Sequence, residues 1–206
     1  MNSDIRIFSN IIPKTYQDEI ERVMTSYDFA WAYRRNVSSQ PGDPQVYIND
    51  PNIQVRDAFI HLFYADKENY VSPHATLIRH ILYFLEERAE IKIENVIRMR
   101  AVLTYRDPNW NEEHYLTPHV DDISESHTHT FIYYVNDCDG DTFFYKEYYT
   151  SWNNYDKRTL EQSFTPKKGY GVLFNGHRYH GNGVGRKENR IVINMNLTVK
   201  NDTYNI

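Results

Sequence analysis

Residues 118–121 read Pro-His-Val-Asp, so His119 and Asp121 stand two positions apart. In an extended strand that spacing puts both side chains on one face, because successive side chains alternate sides. A neutral imidazole and a carboxylate aimed at one point supply two of the three ligands of the 2-His-1-carboxylate arrangement, which binds Fe(II) and leaves positions open. The tripeptide alone is common, and its weight depends on a third ligand. His177 and His180, in the run Gly176-His177-Arg178-Tyr179-His180-Gly181, are the candidates. His180 is preferred because Arg190 follows ten residues later, across a turn through Gly185-Arg186-Lys187-Glu188. A hairpin turning near Arg186 would set Arg190 beside His180, where a guanidinium can hold a carboxylate bidentately.

Ligands drawn from distant segments need a scaffold, and the pattern from residue 91 onward is that of a β scaffold. Strands are expected over 96–105, 116–120, 128–136, 142–149, 159–165, 171–174 and 189–199, with turn residues between them. The last is the most telling. Ile191, Ile193, Met195, Leu197 and Val199 form one apolar face, and Arg190, Val192, Asn194, Asn196 and Thr198 the other. The polar face carries the arginine, so it is expected to line a cavity. Before residue 91 the spacing is mostly helical: a short strand at 5–8, a helix from Pro13 to about 27, and a strand near 29–33. A loop follows over 38–51, then a short helix over about 53–63. A longer helix runs from Ser72-Pro73 to about 89 with the stripe Leu77, Ile78, Ile81, Leu82 and Leu85. Helices first and short strands afterwards predict a mostly β jelly roll, a cupin-like double-stranded β-helix with helices packed on one face. One domain over 1–206 is expected, with 1–95 as helical support and 96–200 as the jelly-roll core.

The 206 residues, 40% hydrophobic and 25% charged, suit an ordinary folded chain with one sizeable core. A net charge of −5 supplies no global positive field for a phosphate backbone, which argues against nucleic-acid partners. The lone cysteine, Cys138, excludes an intrachain disulfide. No run of about 18 apolar residues suggests a membrane span. Together with the absence of a signal-like N-terminus, this predicts a cytoplasmic protein.

From about Arg98 to Thr198 the chain resembles the Fe(II)/2-oxoglutarate-dependent oxygenases of the prolyl 4-hydroxylase-like type, with a looser likeness to bacteriophage members. The resemblance rests on Tyr105 before His119-x-Asp121, Tyr134-Val135-Asn136-Asp137, Gly140-Asp141-Thr142, Pro166-Lys167-Lys168-Gly169, Phe174, His180 and Arg190, in that order. The chain departs from the pattern in the long segment 106–118, in Asp139-Gly140 where the family has Gly-Gly, and in Gly181-Asn182-Gly183 where a proline is common. The resemblance implies Fe(II) held by His119, Asp121 and His180, and 2-oxoglutarate as co-substrate with its far carboxylate on Arg190. Tyr134 would assist, with Tyr105 and Thr142 nearby. It also implies O2 as oxidant, with ascorbate as an optional reductant. The implied reaction is hydroxylation of a C–H bond, of a prolyl or other amino-acid residue, releasing succinate and CO2. Peptide, protein or small-molecule substrates are the expected partners.

Several residues carry two readings. His127 and His129 share a strand face and are either a second metal pair or a solvated strand entry. His114, in the segment 106–118, belongs either to a lid or to a plain loop. Arg98 and Arg100 lie on one strand face and either grip an acidic substrate or form surface ion pairs. Arg186 reads as a turn residue, and Cys138 has no assigned role. The alternatives for the whole chain are a small-molecule hydroxylase of the same chemistry and a non-catalytic, metal-binding cupin-like module. A nucleic-acid demethylase fits less well with the short His180-to-Arg190 gap and the negative charge.

Overall fold

Most strands expected in the second half of the chain form within a few residues of their expected bounds, but that over 116–120 shrinks to Tyr115–Leu116 and a further strand forms at Arg178–Asn182. A computed structural model describes residues 4–37, 50–67, 69–121, 128–150 and 158–200. In chain order the first elements are β1 (Arg6–Phe8), α1 (Lys14–Met24), β2 (Ala32–Arg34), β3 (Ile53–Gln54), β4 (Ala58–Ala65), β5 (Tyr70–Val71), α2 (Ala75–Arg79) and α3 (Ile81–Ala89). There follow β6 (Ile93–Thr104), β7 (Tyr115–Leu116), β8 (Thr128–Tyr134), β9 (Thr142–Tyr148), β10 (Leu160–Phe164), β11 (Gly171–Asn175), β12 (Arg178–Asn182) and β13 (Arg190–Val199).

Two antiparallel sheets face each other. The larger has the order β1-β11-β8-β13-β6-β4-β2, with β5 on β4, and the smaller is β10-β9-β12. β13 lies between β6 and β8 and is buried along its whole length. Its alternation separates two cores. Ile191, Ile193, Met195 and Leu197 pack with Met99, Ala101, Phe131 and Tyr133 against Ile20, Met24, Ile78, Ile81 and Leu85 of the helices. Val192 joins Val102, Ile132, Tyr134, Phe144, Val172 and Phe174 in the space between the sheets. This is the expected roll with helices on one face. Burying each large apolar side chain contributes roughly 1.5–3 kcal/mol, which fixes the register: a one-residue slip would turn Ile193 and its fellows into the polar cavity.

Two expectations are corrected. The helix expected over 53–63 is instead β3 and β4, because the long β6 leaves an edge that β4 pairs with from Phe59↔Leu103 to Ala65↔Arg98. Tertiary pairing overrides a short apolar run whose period is ambiguous. β12 and β13 also do not form a hairpin: β12 pairs with β9 in the small sheet, whereas β13 sits in the large one. The connection at 183–189 crosses between sheets. It is held there by a close approach in which a Cβ on Gly140 would lie 2.6 Å from the Gly185 nitrogen. The longer expected helix is interrupted at His80, giving α2 and α3. Most of the expected loop 38–51 lies outside the described residues.

Candidate active site

His119 and His180 meet as cross-strand partners. Each backbone N–H donates to the other's carbonyl, at 2.8 and 2.9 Å, in an isolated antiparallel bridge. Directly opposed residues point their side chains to the same side, and the two rings lie 4.6 Å apart between centroids. Asp121, two residues on, brings its carboxylate to the same place: Oδ2 is 3.6 Å from His180 Nε2, and Oδ1 is 4.0 Å from His119 Nε2. One ligand atom from each of the three falls within 4.8 Å of the others. His177, the alternative to His180, is not in this cluster; it lies in the turn before β12.

The chemistry of the donors fits a divalent ion. His119 Nδ1 is 3.0 Å from the Thr117 carbonyl and His180 Nδ1 is 3.3 Å from the Arg178 carbonyl. Carbonyl partners keep the proton on Nδ1 and leave both Nε2 lone pairs free for a metal. His180 Nε2 and Asp121 Oδ2 are buried with no hydrogen-bond partner, a costly state that a bound cation relieves. Burial, then His119, push His180 down to about 4 against the opposing pull of Asp121, so it is neutral at pH 7. For Asp121, burial acts to raise the carboxyl pKa, but His180, Arg98, His119 and Arg100 outweigh it and hold the group well below its ordinary range. Two imidazoles and a carboxylate form the Fe(II)-type set, with positions left for other ligands.

Deeper between the sheets, Arg190 is 4% exposed. Its Nη2 donates to Thr142 Oγ1 at 2.8 Å, and Tyr134 OH donates to the same oxygen at 2.9 Å. Its Nε is buried without a partner, and the side chain forms no ion pair with any described carboxylate. The guanidinium carbon lies 5.9 Å from the Tyr134 ring centre. Burial pushes the Arg190 pKa down and raises Tyr134 to about 12. Arg178 forms the contrast: it too is buried, but it pairs with Asp4 at 2.5 Å and Glu161 at 2.6 Å. Among the described residues Arg190 has no carboxylate partner of this kind.

Arg190, Tyr134 and Thr142 therefore come together, although by facing sheets rather than by a hairpin. Tyr105 does not join them. It is 57% exposed and meets Phe59 edge-on at 5.4 Å. Phe59 stands opposite Leu103, which faces the helix-side core. The segment 106–118 is pinned rather than draped over the ligands. Asp107 N–H donates to the Gly185 carbonyl at 2.8 Å, Trp110 and Leu116 pack with Val184, and Arg186 pairs with Glu112. A separate pocket of about 660 Å³ lies there, lined by Trp110, His114, Asp141 and Phe143 among others. His129 shares its strand face with Phe131 and Tyr133, on the helix side; His127 lies outside the described residues.

Arg98 and Arg100 turn out to face the site. Arg98 Nη2 is 3.7 Å from Asp121 Oδ1, and its Nε donates to Asn196 Oδ1 at 3.1 Å. Burial and Arg98 push Arg100 down to about 10, opposed by Asp121 and aided by Arg34. Sequence reading missed Arg34 entirely, because its three-residue strand carries no pattern.

No protein-family model matches the chain, and no curated protein matches its sequence. Solved structures do. A 2OG-Fe(II) oxygenase family oxidoreductase from Burkholderia pseudomallei superposes with a TM-score of 0.63 at 10% identity, covering 95% of this chain and 85% of that one. A Pseudomonas putida prolyl-4-hydroxylase gives 0.56 at 8% identity, covering 96% and 93%. A Trichoplax adhaerens prolyl hydroxylase, in complex with a hypoxia inducible factor oxygen degradation domain peptide fragment, gives 0.58 at 14% identity, covering 96% and 84%. The chain has the fold of the 2-oxoglutarate/Fe(II) oxygenases. Other matches include an epimerase and a carbocyclase of nogalamycin biosynthesis. None of these named structures comes from a bacteriophage, so that looser likeness gains no support. Among the described residues no helix is long and apolar enough to cross a membrane.

Proposed function

We propose that this protein is an Fe(II)- and 2-oxoglutarate-dependent dioxygenase that hydroxylates a C–H bond, in a prolyl or other amino-acid residue. The observation that carries the reading is the buried, carboxylate-free Arg190 set in the same roll as the His119/Asp121/His180 cluster. A metal-binding module needs the cluster but not a second anion receptor. Fe(II) with 2-oxoglutarate and O2 supplies the oxidation, converting R–H, O2 and 2-oxoglutarate into R–OH, succinate and CO2.

The protein's own part is to hold and to orient. His119, Asp121 and His180 hold the ion, with both imidazoles fixed by backbone carbonyls. Arg190 grips the far carboxylate of 2-oxoglutarate, while Thr142 accepts from Arg190 and Tyr134 and so keeps the guanidinium plane in register. Phe174, 4.9 Å from the His180 ring, and Phe144 behind it keep water from that end of the roll. Excluding water strengthens each charge interaction inside. A small-molecule hydroxylase would use the same apparatus, and solved structures with this fold include a carbocyclase of nogalamycin biosynthesis as well as a prolyl hydroxylase. The cytoplasmic location and the single domain are part of the same proposal.

The test is succinate release from 2-oxoglutarate under air with Fe(II) and no added substrate, in wild type, His119→Ala and Arg190→Met, with and without ascorbate. Slow uncoupled turnover in wild type that vanishes in both variants is the expected result. Metal binding with no affinity for 2-oxoglutarate would instead identify a metal-binding module.

A further inference from the structure

The concave face of the large sheet carries more positive charge than its own residues can balance. Arg98 and Arg100 alternate with Val102 on β6, so both project between the sheets, toward Asn196 and Asn194 on the adjoining strand. Arg34, exposed on the edge strand β2, stands opposite Ala58, which belongs to the same inner core. Arg98 is occupied by Asn196 and by its contact with Asp121. Among the described residues Arg100 has no hydrogen-bond or ion-pair partner, and its Nε is buried and unpaired. Facing it, Asn194 Oδ1 is also buried and unpaired. Among the described residues Asp121 is the one carboxylate that meets Arg98 and Arg100.

Charge accounting extends the point and rests on the oxygenase reading above. A divalent ion with Asp121, and 2-oxoglutarate with Arg190, form a set whose charges cancel. Arg98 and Arg100 are then left beside the reaction centre with no further counter-charge from described side chains, and the exposed Arg34 adds positive charge next to Arg100. Arg178 shows how this fold treats a buried structural arginine, with two carboxylates supplied. Arg100 is half-buried and its Nε has no such partner, which leaves it open to an anion brought by a ligand.

We propose that the substrate carries an oxyanion, a carboxylate or a phosphate, and that Arg100 receives it, flanked by Arg98 and Arg34. Asn194 accepts a hydrogen bond from the protonated or amide side of the same substrate. The oxyanion thereby sets which C–H bond stands next to the ion. The bare strand face of β6 is thus the specificity-determining surface of the enzyme.

The experiment uses the full chain loaded with Zn(II), which is redox-silent, and saturating 2-oxoglutarate. Two probe sets are compared by saturation-transfer NMR and titration calorimetry at fixed ionic strength. One set holds N-acetyl amino acids and inorganic phosphate; the other holds the matching N-acetyl amino-acid amides, which lack the charge. Acids or phosphate should bind at least tenfold tighter than amides, and Arg100→Gln should abolish that preference. Arg100→Lys, which keeps the charge, should retain part of it and guard against a mere folding defect. Arg100→Gln should leave the 2-oxoglutarate affinity within about twofold. Preference for phosphate over the acids would assign a phosphorylated substrate, and the reverse a carboxylate. Equal binding of acids and amides overturns the inference, as does undiminished acid binding in Arg100→Gln or no binding of either set to wild type. A parallel loss of 2-oxoglutarate affinity in Arg100→Gln would assign the arginine to the co-substrate instead. Failure of the oxygenase reading is separately visible, because Zn(II) or 2-oxoglutarate would then not bind in the loading titration.

Discussion

Replacing Arg190 by methionine should separate folding from function with opposite signs. In the absence of ligand the guanidinium is 4% exposed and is offered one neutral hydroxyl, Thr142 Oγ1, and no carboxylate. An uncompensated buried charge costs several kcal/mol, and apolar replacements of similar volume are often neutral or stabilising by about 1–4 kcal/mol. Methionine fills a comparable length without a charge, so the ligand-free variant should unfold at the wild-type temperature or above it. A stabilisation of about 1 kcal/mol in a chain of this size would raise Tm by roughly 2–4 °C. Binding should move the other way. Removing one partner of a buried, hydrogen-bonded charge pair costs about 2–5 kcal/mol, or roughly 30- to 5,000-fold in Kd. The assay is thermal unfolding with Zn(II), with and without 2-oxoglutarate. At a hundred times Kd the ligand stabilises wild type by about 2.7 kcal/mol, and that increment should disappear in Arg190→Met. A variant that is destabilised yet binds 2-oxoglutarate within tenfold of wild type would refute the reasoning, because Arg190 would then be a structural residue.

Tyr105→Ala should change 2-oxoglutarate affinity by less than about threefold, since its ring is exposed and packs on Phe59; calorimetry on the Zn(II) form checks this, against the role that the family resemblance implies. Gly140→Ala should destabilise the fold by about 1–3 kcal/mol in denaturant melts, because its Cβ would lie 2.6 Å from the Gly185 backbone nitrogen. It should also weaken 2-oxoglutarate binding, since the neighbouring Thr142 and Arg190 hang from the same crossing. Cys138 should resist iodoacetamide at pH 8 in the native state and react on unfolding, because burial raises the thiol pKa and leaves less thiolate at any given pH. Chelating the metal from a loaded sample should lower Tm in wild type and leave His180→Ala unmoved, since His180 supplies a buried ligand atom with no other partner.

Much of this architecture was legible in the chain because it rests on local periodicity. The alternation of Ile191, Ile193, Met195 and Leu197 with Asn194, Asn196 and Thr198 states which face meets the helices and which meets the cavity, and burial along β13 agrees. The His119-x-Asp121 spacing states that two ligands share a face. What local pattern cannot carry is pairing. The ten-position step from His180 to Arg190 suggested a hairpin, yet the crossing at 183–189 sends the two strands into opposite sheets. Only the facing of those sheets through β9 puts Thr142 between Arg190 and Tyr134. Ala58–Ala65 reads equally as helix or strand until β6 offers it an edge. Tyr105 carries the right residue type in the right order, but it directly follows β6 in the alternation of Leu103 and meets Phe59, away from Arg190. Arg34, Arg98 and Arg100 come from two separate strands and form one positive surface only when the sheet assembles. The sequence by itself determined which residues could ligate and which faces had to be buried, because those follow from side-chain chemistry and a period of two. The tertiary structure decided which candidates meet, because a charge is paired or left bare only by what long-range strand pairing sets across from it.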